Sequence, residues 1–137
     1  MKKKRIIIVV IAAILVLFCI GGFFLAQPPK LSADHISRIE LISLPSPPKK
    51  KVITQKEDIQ KFVSVFNELN LTPRIPISNP AGTSVWINTY GEQQTYQITM
   101  TSSIVQINGL SYRCNEDAAQ KMRELYRTFS YPEESYP

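Results

Sequence analysis

Four cations, Lys2, Lys3, Lys4 and Arg5, precede a run from Ile6 to Ala26 that carries no charge. A helix of that length, rising about 1.5 Å per residue, reaches across a hydrocarbon core of about 30 Å. The positive-inside bias keeps residues 1–5 in the cytoplasm and sends the chain from Gln27 onward outside. A cleaved signal peptide shares the basic start and the apolar centre. Its cleavage site needs small residues at the last and third-last positions, and Phe24 occupies the third-last position before a cut after Ala26. The run also exceeds the about 7–15 apolar residues of a signal-peptide centre. An uncleaved signal-anchor, a single transmembrane helix over 6–26, is therefore the expected reading. Lipidation of Cys19 is disfavoured because Phe18, not a small residue, precedes it.

The anchor also accounts for most of the net charge. Four of the sixteen Lys and Arg residues lie in the first five positions, which leaves twelve basic against eleven acidic residues from Gln27 to Pro137. No basic domain face follows from that balance, and no nucleic-acid partner is expected. About 110 residues remain outside, enough for one domain with its own core. Cys19 and Cys114 lie in different compartments, so no internal disulfide forms. Cys114 continues the alternation Leu110, Tyr112, Cys114 and reads as a buried thiol.

The exported part begins with a stalk, 27–35, stiffened by Pro28-Pro29. A strand is expected over Ile36–Leu44, broken by Pro45-Ser46-Pro47-Pro48, and a short strand through Val52 and Ile53 returns. Thr54-Gln55-Lys56-Glu57 has the form of a capping box. The helix behind it, to about Asn70, repeats Ile59, Phe62, Val63, Phe66 and Leu69 at spacings of three and four and so buries one stripe. Thr72 to Gly82 reads as a loop. Strands follow through Val85–Tyr90, Tyr96–Met100, Ile104–Ile107 and Leu110–Cys114, the last two joined by Asn108-Gly109, a strong hairpin signal. Asn115 is placed to cap a second helix that buries Ala118 or Ala119, Met122, Leu125, Tyr126 and Phe129. Residues 131–137 form a short polar tail. Strand, strand, helix, four strands, helix defines an α+β domain over 36–130. It is a two-layer arrangement, an antiparallel sheet with two helices on one face, because each helix has a single apolar stripe to bury.

Few residues offer chemistry. His35 and Cys114 are the lone histidine and the lone exported cysteine, too few for a zinc site, and no calcium loop or phosphate-binding glycine loop is present. Ser46-x-x-Lys49 would need serine and lysine on one helical face, which Pro47 and Pro48 prevent. Pro45-x-x-Pro48 is read as a stiff loop rather than a polyproline ligand. Glu57-Asp58 and Glu116-Asp117 each sit in a helix first turn, where negative charge is favourable. No catalytic, metal or cofactor residue is assigned.

Two contact surfaces remain. Lys49, Lys50 and Lys51 offer charge to an anionic polymer or lipid headgroup, or form an exposed charged loop. Trp86 and Tyr90 share the strand face opposite Val85 and Ile87; either they lie on the open face of the sheet as binding surface or they pack under the loop Pro73–Pro80.

The segments ITQKEDIQKFVSVFNELNLTP and VQINGLSYRCNEDAAQKMRELY resemble small extracytoplasmic domains of Gram-positive bacteria, over about residues 36–129. In that group a capped helix follows a short strand, and a late hairpin precedes a terminal helix. The resemblance implies a tethered, mostly uncharacterised domain and supplies no catalytic residue. The expected function is a non-enzymatic, membrane-anchored extracytoplasmic binding module. Its partners would be the membrane, through 6–26, and an envelope protein, peptide or surface polymer. The alternative is an immunity or inhibitor protein that intercepts a peptide or enzyme at the cell surface.

Overall fold

The structure is a computed structural model that describes residues 1–44, 47–76, 81–92 and 95–136. Pro45 and Ser46 of the proline-rich break, and 77–80 of the expected cover over Trp86, lie outside the described residues. Helix α1, Lys2–Ala26, is long and apolar enough to cross a membrane, and none of its apolar span is buried by the rest of the chain. A single 3-10 turn, Ala33–His35, leads into an α+β domain.

Its sheet is antiparallel throughout. The strands are β1 Arg38–Ser43, β2 Lys49–Ile53, β3 Leu71–Pro73, β4 Ser84–Tyr90, β5 Tyr96–Thr101, β6 Ile104–Ile107, β7 Leu110–Cys114 and β8 Glu134–Ser135. Their order is β3-β7-β6-β5-β4-β1-β2-β8. One face presents Ile39, Leu41, Ile53, Val85, Ile87, Ile98, Met100, Val105 and Ile107. Helices α2, Lys56–Asn67, and α3, Ala118–Thr128, bury their stripes against that face, as the periodicity predicts. Both Ala118 and Ala119 are fully buried, and Cys114 joins the same core at 3 % exposure. At the β6–β7 turn Asn108 (φ 47°) and Gly109 (φ 85°) take the left-handed conformations that a two-residue hairpin requires. The Asn108 side-chain oxygen also accepts from the Gln97 amide at 2.8 Å, tying the turn to β5.

Several expectations are corrected. The Thr54–Glu57 capping box does not form: the N-cap is Gln55, without a side-chain cap bond. The Tyr131 hydroxyl, from the C-terminal segment, takes its place by accepting from the Gln55 amide (3.1 Å) and donating to Asp58 (2.8 Å). In α3 the cap is Asp117, not Asn115; its carboxylate accepts from the Gln120 amide at 2.8 Å. The expected loop after α2 starts as an edge strand, β3, in which Pro73 sits at the margin of the sheet, where a missing amide is tolerated.

The segment 27–35 is not a free stalk. Leu31 is 5 % exposed within the core, and the Asn67 side chain clamps its backbone, accepting from the Leu31 amide and donating to the Leu31 carbonyl, both at 2.9 Å. Lys56 pairs with Asp34 at 3.6 Å, so the chain runs back along α2 from its last turn to its first. Residues 131–137 are likewise more than a tail, since Glu134–Ser135 add strand β8 beside β2.

The Tyr126 hydroxyl is buried, with the Glu133 carboxylate near it but outside good hydrogen-bond geometry. Burial, reinforced by the nearby Glu133 carboxylate, pushes its pKa up to about 12. The folded state thus favours the neutral phenol; its contribution is complete below pH of about 10 and is lost as pH rises through about 12. Tyr112 is pushed in the same direction by burial, so the alkaline loss is shared. Tyr126→Phe is expected to change stability at neutral pH by no more than about 1 kcal/mol and to move the alkaline unfolding midpoint upward. Urea unfolding at neutral and alkaline pH checks both; an alkaline midpoint that does not move would contradict the assignment.

Candidate functional site on the open sheet face

The face of the sheet away from the helices is set by alternation along β1 and β4. On β1 it carries Arg38, Glu40 and Ile42; on β4 it carries Trp86, Asn88 and Tyr90. Register places Arg38 opposite Tyr90, Glu40 opposite Asn88 and Ile42 opposite Trp86. On the other side of β1, Lys50 stands opposite Ile42.

These side chains form one connected set. The Tyr90 hydroxyl donates to Glu40 at 3.0 Å, and the Arg38 guanidinium lies 4.1 Å from the Tyr90 ring centre. Burial, and next the hydrogen bond to Glu40, raise the Tyr90 phenol above its usual pKa, while Arg38 opposes the shift. Lys50 bridges Glu40 (4.0 Å) and Glu134 of β8 (3.7 Å). Tyr136, fixed by its amide to the Pro48 carbonyl at 3.1 Å, meets Trp86 edge to face with ring centres 6.3 Å apart. Ile42, although on this face, is fully buried, and Trp86 is 40 % exposed. The result is a partly exposed indole beside the buried Ile42, with Arg38, Glu40 and Lys50 on the same face.

Trp86 and Tyr90 thus lie on the sheet face away from the helices, and Tyr136 is an aromatic neighbour of Trp86 among the described residues. The three lysines do not act as a patch. They lie in strand β2 rather than in a loop, and alternation turns Lys50 to the open face and Lys49 and Lys51 to the helix face. Lys51 is only 7 % exposed. Its ammonium donates to the carbonyls of Tyr126 (2.9 Å) and Phe129 (2.8 Å) and lies 4.4 Å from the Tyr126 ring centre. It closes the C-terminal end of α3 and is removed from the candidate contact surface. Lys2, Lys3, Lys4 and Arg5 form the exposed start of α1.

Glu134 and Tyr136 were not expected at the site. Their spacing of two is the signal that a terminal strand would leave. His35 is exposed in the 3-10 turn and Cys114 is buried. Among the described residues no group of three His, Cys, Asp or Glu side chains is placed to hold a metal ion. The open face thus carries an aromatic side chain, charges of both signs and, at Asn88, a carboxamide. No family model, curated protein sequence or solved structure matches the chain.

Proposed function

We propose that the chain is a single-pass membrane protein whose N-terminus lies in the cytoplasm and whose α+β domain stands outside as a non-catalytic binding module for an envelope protein or peptide. The cations of residues 2–5 ahead of an uncharged span support the orientation. The observation that carries the binding role is Trp86, left 40 % exposed on the open face while every other aromatic side chain of the described domain is at least half-buried. Tryptophan is enriched among the few residues that carry most of the energy of protein interfaces. Membership among the tethered domains of Gram-positive envelopes is part of the same proposal and rests on the helix and hairpin segments quoted above.

The test is crosslinking of the tagged, membrane-bound chain in cells, identification of the captured protein by mass spectrometry, and titration of its affinity. Trp86→Ala is expected to weaken that affinity about 30-fold, the equivalent of about 2 kcal/mol, while the domain stays folded with a midpoint lowered by several degrees as the Tyr136 contact is lost. Tyr90→Ala should weaken it less, since Tyr90 is spent on Glu40 and Arg38. Unchanged affinity in a double variant would remove this surface from the function.

A further inference from the structure

Beyond α1, three large apolar side chains of the described residues are exposed: Ile75 at 85 %, Leu110 at 51 % and Trp86 at 40 %. Trp86 belongs to the open face. The other two lie together at the β3–β7 edge of the sheet, where β7 begins. Leu110 opens β7 directly after the Asn108–Gly109 turn. The Arg74 amide donates to the Ser111 carbonyl at 3.0 Å, which brings Ile75 to the same end. Leu110 shares one shallow recess with Pro73, Arg74 and Pro76, and a second with Gln27 and Pro29, the residues that follow α1.

The tether fixes which end of the domain meets the membrane. Leu31 is held in the core and clamped by Asn67, so only Gln27–Lys30 separate the end of α1 from the folded domain. Five extended peptide units span at most about 18 Å. The polar layer of a bilayer is itself about 5–8 Å deep on each side. The tether therefore holds the domain within about 13 Å of the headgroup surface, and the end that carries Gln27 and Pro29 is the end turned toward it.

We infer that the rim formed by Leu110 and Ile75 rests in the phospholipid interface, with both side chains at the boundary between headgroups and acyl chains. The inference rests on the reading of α1 as a membrane anchor. Two exposed aliphatic side chains at the point where the chain leaves for α1 lose their contact with water there, and the hydrated headgroup layer still offers hydrogen bonds to the outward backbone groups of the edge strand β3. Register sets Trp86 level with Ser111, through Thr99 and Gln106, one residue along the strands from Leu110, so the open face lies close to the bilayer and is presented to a partner in the same membrane.

The experiment uses the full chain with Cys19→Ser, reconstituted in vesicles of phosphatidylcholine with a minority of phosphatidylglycerol. An environment-sensitive fluorophore is attached at L110C, I75C, E116C or L17C, and quenching by acyl-chain nitroxide lipid is read. Glu116 is the control because it follows Cys114, at the opposite end of β7. Quenching at 110 and 75 several-fold stronger than at 116, with blue-shifted emission, is expected. Strong quenching at 17 with 110 and 75 no different from 116 would overturn the rim contact and leave the anchor intact. Absent quenching at 17 would overturn the anchor reading, and the rim contact with it. All four positions are exposed, and an unchanged unfolding midpoint for each labelled protein confirms that the domain is native.

Discussion

Gly91→Ala is expected to destabilise the domain by about 3 kcal/mol or more, close to the upper range for a single methyl group. Gly91 follows the last residue of β4, where the chain entering the sheet from the 3-10 turn passes over it. A Cβ there would overlap the His35 carbonyl oxygen, lie 2.8 Å from the His35 carbonyl carbon and 3.3 Å from the Ile36 Cα. All three are backbone atoms, so no rotamer change relieves the clash. Relief requires the 3-10 turn to lift away from β4. That movement would break the Ser37 amide bond to the Tyr90 carbonyl (2.8 Å) and pull Ile36, 9 % exposed, from the core. A loss of this size lowers the unfolding midpoint of a domain of about 100 residues by about 12 °C or more. Thermal unfolding of the full chain in detergent checks it. A variant within about 0.5 kcal/mol of the parent would mean that the junction between the membrane-proximal segment and the sheet is not as tight as described.

The second large effect is expected at Lys51. Its position opposite Leu41, on the helix face of β2, would ordinarily hold an apolar side chain. Instead an ammonium reaches under the last turn of α3. It takes up carbonyl oxygens at the negative end of that helix and lies over the face of the Tyr126 ring. Lys51→Met keeps the stem and removes the charge. The Phe129 carbonyl then loses its ammonium partner in a buried setting, and the Tyr126 carbonyl keeps only the 3.3 Å bond from the Phe129 amide. The cost is about 2–4 kcal/mol, since an unsatisfied buried acceptor costs about 1–3 kcal/mol and the favourable helix-end charge is also lost. Amides of the last turn of α3 should exchange faster before the rest of the domain. Lys49→Met and Lys50→Met, by contrast, should each change stability by less than about 1 kcal/mol, since both are partly exposed and the ion pairs of Lys50 face solvent. Equal effects at all three positions would contradict the separate role of Lys51.

These two residues mark where the sequence stops being readable. The stripes of α2 and α3 and the Asn108-Gly109 turn are encoded locally, by spacing and by the need for positive φ, and they hold. So does the placement of Trp86 and Tyr90 on one strand face, which follows from a period of two once the helices have claimed the other face. Lys51 looks like the third member of a surface run, because composition along β2 says nothing about which helix end lies over it. The role of Gly91 depends on a crossing by a segment more than fifty residues earlier in the chain. The capping box at Thr54 is locally plausible and is displaced by Tyr131, which arrives from the far end of the chain. Glu134 and Tyr136 reach the site by strand pairing at an edge, a contact with no local signature beyond their alternate spacing. Leu31 is a single apolar residue between polar neighbours; only its partner Asn67 reveals that the domain begins there.

The most direct test of the binding role is a photoreactive amino acid introduced at position 86 of the full chain in living cells, with position 60 on the exposed side of α2 as control. We expect a discrete adduct with an envelope-resident protein from position 86 and none from position 60. No adduct at 86, or the same adducts from both positions, would contradict a binding module that works through its open sheet face.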